Sequence, residues 1–290
     1  MRISKIACGV LVAGLVSSSA LAQDTAQATA QTSVQGAAAT APPPEAPVSK
    51  RVTVTTGVDF TSAYMFRGLL QHAGGTIAQP AVDFGIALGR GISANVGNWD
   101  SVHSTQATGN WYESDYYGSM TFTAGKLKPG VLFTSYTSPT DGFTTVHELA
   151  GVVAFDDSAS KLPFAPKAIL AFELGKDELG VGQADGGANK GIYLELGVRP
   201  SVKVAPKLTL AVPVKTGLSV KDYYEGPTGN NHFGYFDTGL QASVPLVSGK
   251  GGTLEAHGGV DFMWLGDNLK LLNNDDGFRP IGLLGFTFTY

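Results

Sequence analysis

Most groupings of side chains in this chain that could do chemistry fail on spacing. His147-Glu148 begins the pattern in which two histidines one helical turn apart hold zinc, but Gly151 stands where the second histidine belongs. There is no Gly-x-Ser-x-Gly nucleophile elbow, and Gly180-Val181-Gly182 lacks the third glycine of a dinucleotide loop. His103-Ser104, expected in an outer loop, sets an imidazole beside a hydroxyl, and His232 is a second lone imidazole. Geometry, not order, defines a hydrolytic triad, so a barrel hydrolase stays a minor alternative to a chance pair. Asp267, Asp275 and Asp276 could hold calcium together with loop carbonyls, although solvated loop acids are the plainer reading. No basic patch interleaved with aromatics points to nucleic acid. The expectation is therefore a non-enzyme with no catalytic residues, no metal and no cofactor.

One set of charged residues follows a rule. Asp59, Asp83, Asp115, Glu173, Glu195, Asp237, Glu255 and Asp261 each fall on the polar side of an alternating segment, with Glu113 and Glu148 beside them. Arg199, Lys215, Lys221 and His257 share that side. The opposite positions are apolar: Val82, Phe84, Ile86 and Leu88 against Asp83, or Leu284, Phe286, Phe288 and Tyr290 against Gly285, Thr287 and Thr289. Alternation with period two is the mark of a strand with one wet and one greasy face. Carboxylates collected on one side of many strands could line an aqueous interior and concentrate cations there.

The strands that must position these residues come at regular intervals from Arg51 to Tyr290, about twelve in all. Their connections alternate in length. Short turns occur at Gly89-Arg90-Gly91, Gly125 to Gly130, Ala205-Pro206-Lys207 and Ser248 to Gly252, with Asp156 to Pro166 a longer member. Longer polar loops occur at Gly68 to Thr76, Val102 to Trp111, Asp177 to Asn189, Asp222 to Phe233 and Gly266 to Arg279. Short periplasmic turns and long extracellular loops around an even number of strands are the rule for bacterial transmembrane barrels. The expected fold is all-β: an antiparallel transmembrane β-barrel of about twelve strands with both termini in the periplasm. A soluble sandwich also gives alternating strands, but it does not require alternating loop lengths or a terminal aromatic.

Composition agrees. Charged residues are 15% of the chain against about 25% in typical soluble domains, while glycine is abundant at 38 residues. Arg2 and Lys5, the apolar run from Ile6 to Val16 and Ala20-Leu21-Ala22 read as a signal peptide over 1–22. Cys8, the only cysteine, lies inside it, so the mature chain has no thiol. Residues 23–50, rich in Ala, Gln, Thr and Pro, have too little apolar bulk for a core and read as a disordered periplasmic tail. Residues 51–290 are the barrel.

Val58-Asp59-Phe60-Thr61-Ser62-Ala63-Tyr64-Met65-Phe66-Arg67-Gly68-Leu69-Leu70-Gln71, followed by Gln79-Pro80-Ala81-Val82-Asp83-Phe84-Gly85 and Trp99, resembles the first hairpin of the TorF family of Gram-negative outer-membrane proteins. The resemblance covers mainly Val52 to Asp100. It implies a porin-like outer-membrane barrel of unspecified substrate. In this segment, extending the phase of Phe60 puts Tyr64 and Phe66 in the lipid-facing aromatic girdle. Arg67 then points inward at the mouth, where it either shapes the constriction or only anchors the first loop.

The expected function is an outer-membrane channel for passive passage of small solutes, with an acidic lumen favouring cations. Its pore lining would be Asp59, Arg67, Asp83, Asp115, Glu173, Glu195, Arg199, Lys215, Asp237, Glu255, His257 and Asp261. The alternative is a plugged, non-conducting barrel whose extracellular loops bind a partner or surface. Expected partners are outer-membrane lipid and lipopolysaccharide, small solutes, and the barrel-assembly machinery, which would read the last strand with Phe288 and Tyr290.

Overall fold

The computed structural model describes residues 51–105, 109–174, 189–226 and 229–290. The expected signal peptide and tail, and most of the loop expected at Asp177 to Asn189, lie outside the described residues. Chain order gives β1 (Val52–Phe66), β2 (Leu69–Gly89), β3 (Ile92–His103), β4 (Trp111–Phe122), β5 (Leu127–Thr137), β6 (Val146–Phe155), β7 (Lys167–Glu173) and β8 (Ile192–Val198). There follow β9 (Ser201–Ala205), β10 (Leu208–Ala211), β11 (Val214–Lys221), the two-residue pair β12 (Glu225–Gly226) and β13 (Gly229–Asn230), β14 (Phe233–Gly249), β15 (Gly252–Leu265), the short helix α1 (Asp267–Leu272) and β16 (Phe278–Thr289).

Every neighbouring pair in the main sheet is antiparallel, and β1 pairs with β16, with Val58 opposite Phe286 and Phe60 opposite Leu284. With β11 paired to β14 as well, the sheet closes on itself as a ring. Pro200 separates β8 from β9 and Pro213 separates β10 from β11, since proline has no amide proton for the ladder. The chain stays in line across both breaks: Val212 N donates to Pro200 O at 2.9 Å and Gly239 N to Pro213 O at 3.1 Å. Counting each broken strand once, twelve staves make the ring.

The outer face is apolar. Phe84, Val96, Phe133, Leu149, Leu240 and Leu284 are among the large side chains left exposed, one on each of six staves. Trp111, Trp264 and Phe278 stand at the long-loop end, and Phe122, Phe155 and Tyr290 at the other. An apolar band between two aromatic rows is stable in a bilayer and costly in water, and the closed ladder satisfies the backbone without solvent. The fold is a membrane-spanning β-barrel. No helix among the described residues is long and apolar enough to span.

The long and short connections fall at opposite ends as expected, with one exception. The first hairpin turns in two residues, Arg67 (φ 44°) and Gly68 (φ 90°), and β2 resumes at Leu69. Two positive φ values are what a tight hairpin turn needs. The loop expected from Gly68 to Thr76 is thus mostly strand. Its spare residues form a bulge, because the register jumps from Thr61 opposite Ile77 to Ala63 opposite Ala73. A second shift falls between Tyr64 and Met65. Bulges bend a strand and break its alternation. Tyr64 and Phe66, expected in the lipid girdle, are instead buried, and the hairpin tip leans over the barrel mouth with Ala63, Met65 and Arg67 also buried. A smaller correction concerns Leu127 to Gly130, which belong to β5 and not to a turn.

Candidate functional site: the barrel lumen

Phase places the charged residues inside, and the bend of the first hairpin decides what they meet. The Arg67 guanidinium lies at the long-loop end of the lumen, the mouth. Its two terminal nitrogens donate to Glu148 on β6, Nη1 to Oε2 at 2.6 Å and Nη2 to Oε1 at 2.8 Å. Nη1 also donates to the Tyr223 hydroxyl at 2.8 Å. The guanidinium carbon stands 4.0 Å from the Tyr193 ring centre, 5.1 Å from Phe66 and 5.4 Å from Tyr223. A fork on a carboxylate with aromatic faces around it satisfies a buried guanidinium in both charge and geometry.

Two outer elements hold this arrangement down. The Tyr224 hydroxyl donates to Arg67 O at 3.1 Å. Asn273, just after α1, donates through Nδ2 to Gly68 O at 2.8 Å and to Leu269 O at 2.7 Å, and accepts Leu70 N at 2.7 Å. Asn268 of α1 donates to Tyr224 O at 2.7 Å. Gly68 has no room for a side chain, because a Cβ there would run into Leu269 of α1.

A second aromatic cluster fills the neighbouring part of the mouth. Tyr64 donates to Glu113 and packs against Trp99 and Tyr112, with ring centres 5.5 and 6.1 Å away. His103 lies between His72 (4.4 Å) and Tyr112 (5.0 Å) in a stack. Its Nε2 meets Ser101 Oγ at 2.8 Å, while Ser104 Oγ instead accepts Thr76 N at 2.8 Å. His103 is thus at the end of β3, not in an outer loop, and both it and Ser101 are wholly buried, which leaves no approach for a substrate. His232 contacts the Ser219 carbonyl at 3.0 Å. His147 stacks on Phe133 on the outer face while Glu148 is buried inside, so the pair cannot share an ion. Asp276 pairs with Arg279, and among the described residues no group of three metal-binding side chains gathers.

Toward the middle, Asn95 Nδ2 donates to Asp83 at 2.8 Å, and Lys215 lies 3.5 Å from Asp237. Tyr193 and Tyr235 both donate to Glu195, at 2.8 and 3.0 Å; Glu173, opposite Glu148 at the mouth end of β7, accepts Gly191 N at 2.6 Å. Asp115 is buried near Glu113. His257 Nε2 meets Asp59 Oδ1 at 2.7 Å, directly over Gly285, where any Cβ would collide with both. Among the described residues, Asp237 Oδ1 and Asp261 Oδ1 are buried without a hydrogen-bond partner, while the other Asp237 oxygen faces Lys215.

The end with short turns is looser. Arg199 donates to Gln241 at 2.9 Å and keeps much of its surface exposed; Glu255 is half-buried. Lys221, expected to face the lumen acids, stands at the outer rim, 66% exposed and 3.5 Å from Asp222. The sequence reading missed the tyrosines that complete the Arg67 enclosure. The signal was present in Tyr223-Tyr224, an aromatic pair inside a polar loop.

No family model matches the chain, and no curated protein matches it. Among solved structures it is similar to the NanC porin (10% identity, 82% of this chain and 98% of that one, TM-score 0.45). It is also similar to an outer membrane channel from Pseudomonas putida F1 (10% identity, 87% and 100%, TM-score 0.45) and to the translocator domain of the autotransporter NalP from Neisseria meningitidis (12% identity, 92% and 98%, TM-score 0.39). Likeness this slight assigns neither family nor activity, and the barrel rests on its own strand pairing.

Proposed function

We propose that the protein is an outer-membrane channel of porin type in a Gram-negative bacterium, a passive path for small solutes whose acidic interior favours cations and whose extracellular end is closed in this conformation. The observation that carries this reading is the uneven charge of the lumen. Asp59, Asp83, Asp115, Glu173, Glu195, Asp237, Glu255 and Asp261 outnumber Arg67, Lys167, Arg199, Lys215 and His257, and among the described residues Asp261 Oδ1 is buried without a hydrogen-bond partner. A barrel designed only to be packed shut would match its charges, because an unpaired buried carboxylate is expensive. Water and mobile cations in the lumen remove that cost.

The resemblance to the TorF family supports the same reading. A cleaved signal, a periplasmic tail, contact with lipid and lipopolysaccharide on the apolar belt, and assembly through the strand bearing Phe288 and Tyr290 all belong to this proposal. The test is single-channel recording across a salt gradient. The wild type is expected to pass cations preferentially. The variant carrying Asp237→Asn, Glu255→Gln and Asp261→Asn is expected to lose most of that preference. Unchanged reversal potentials in the triple variant would reject the acidic-lumen assignment. The buried mouth favours a second reading, a non-conducting barrel whose loops bind a partner, and a folded but electrically silent wild type would select it.

A further inference from the structure

We propose that the enclosure around Arg67 is a binding site for guanidinium-type cations, and that Arg67 is its tethered occupant. The inference rests on the channel reading and names the element that closes the path. Apart from Phe66, which neighbours Arg67 on its own hairpin, the walls of the enclosure belong to elements other than the one that fills it. Glu148 comes from β6, Tyr193 from β8 and Tyr223 from the loop after β11, whereas Arg67 arrives on the two-residue tip of the first hairpin. Both carboxylate oxygens of Glu148 are engaged by the guanidinium at 2.6 and 2.8 Å, and the Tyr193 ring lies 4.0 Å from its carbon.

Removing the arginine side chain leaves a buried carboxylate aimed into a gap bounded by tyrosine rings. A planar cation with N–H donors fits that gap, and its desolvation is repaid by the fork and the ring faces. An ammonium ion carries the charge but lacks the planar pair of donors. The acids deeper in the lumen raise the local concentration of any cation that enters. A site of this kind lets the mouth exchange a tethered cation for a free one.

The test uses the full barrel, folded in detergent and in bilayers, with methylguanidinium as the probe. Arg67→Ala is expected to show thermal stabilisation that rises with millimolar methylguanidinium. The wild type, and the double variant Arg67→Ala with Glu148→Gln, are expected to show none. In bilayers Arg67→Ala is expected to raise unitary conductance severalfold, and methylguanidinium added at the extracellular face to lower it again. Arg67→Lys keeps a charge in the enclosure and guards against a folding failure; it is expected to conduct between wild type and alanine. If methylguanidinium leaves the melting of Arg67→Ala unchanged and both variants conduct as the wild type does, the proposal is overturned and the channel reading stands. Stabilisation by methylguanidinium in a barrel that never conducts supports the site and removes the channel reading instead.

Discussion

The two ends of the lumen are lined by the same staves and the same alternation, yet one is closed by a packed plug of aromatics and paired charges while the other leaves part of its charge in contact with solvent. At the long-loop end Tyr64, Phe66, Arg67, Glu148, Tyr193 and Tyr223 are each at most 5% exposed. At the short-turn end Arg199 is exposed and Glu255 only half-buried. Both ends carry charge, so composition does not separate them. What separates them is where one hairpin goes: with two register shifts along its length, the first hairpin carries its tip over the mouth, where α1 and the loop after β11 meet it. Register shifts occur in other strand pairs as well, at both ends of the ring, so closure belongs to this hairpin tip and its two clamps and not to irregularity as such.

That contrast is most severely tested at Glu148. Replacing it by alanine leaves the Arg67 guanidinium buried without its anion, which costs on the order of 3–5 kcal/mol. The expected result is a large drop in the temperature at which the folded barrel unfolds. Adding Arg67→Ala to Glu148→Ala should recover part of the loss, because the stranded charge is gone. A Glu148→Ala barrel as heat-stable as the wild type would mean that the packed end is held by something other than this pair.

Asn273 tests the clamp instead of the charge. Its amide makes three hydrogen bonds that join α1 to the Arg67-Gly68 turn. Asn273→Ala strands buried backbone groups, at a cost of about 1–3 kcal/mol. Hydrogen exchange at Leu70, whose amide donates to Asn273, should speed up while the staves away from the mouth keep their protection. Uniform acceleration around the ring would show that the two ends are not separable in this way.

Much of the fold was legible because a barrel wall repeats one rule. Each strand needs only alternate residues to be apolar, so Phe84 against Asp83 or Leu240 against Gln241 declares both faces at once. The mouth was not legible for the same reason. Alternation counts residues, and a bulge inserts residues that the count cannot see. The register jump at Ser62 is set by where β2 pairs, and the partner of Arg67 lies 81 residues away on another stave. Extending the phase of Phe60 therefore reached the right side for Arg67 and the wrong one for Tyr64 and Phe66.

The short-turn end supplies the smallest expected change in stability and the cleanest check on the comparison. The Arg199 guanidinium donates to Gln241, at 2.9 and 3.3 Å, and stays exposed. An exposed polar contact of this kind contributes little, so Arg199→Gln should move stability by no more than about 0.5 kcal/mol. Its charge still lies in the solute path, near Glu255 and Asp261, and its removal makes that stretch more negative. Cation preference should rise in salt-gradient recordings while the melting temperature stays put. The same substitution logic at the other end gives the opposite outcome, because there the arginine is part of the packing. If Arg199→Gln destabilised the barrel as much as Glu148→Ala, the short-turn half would have to be counted as equally packed around its charges, and the contrast between the two ends would fail.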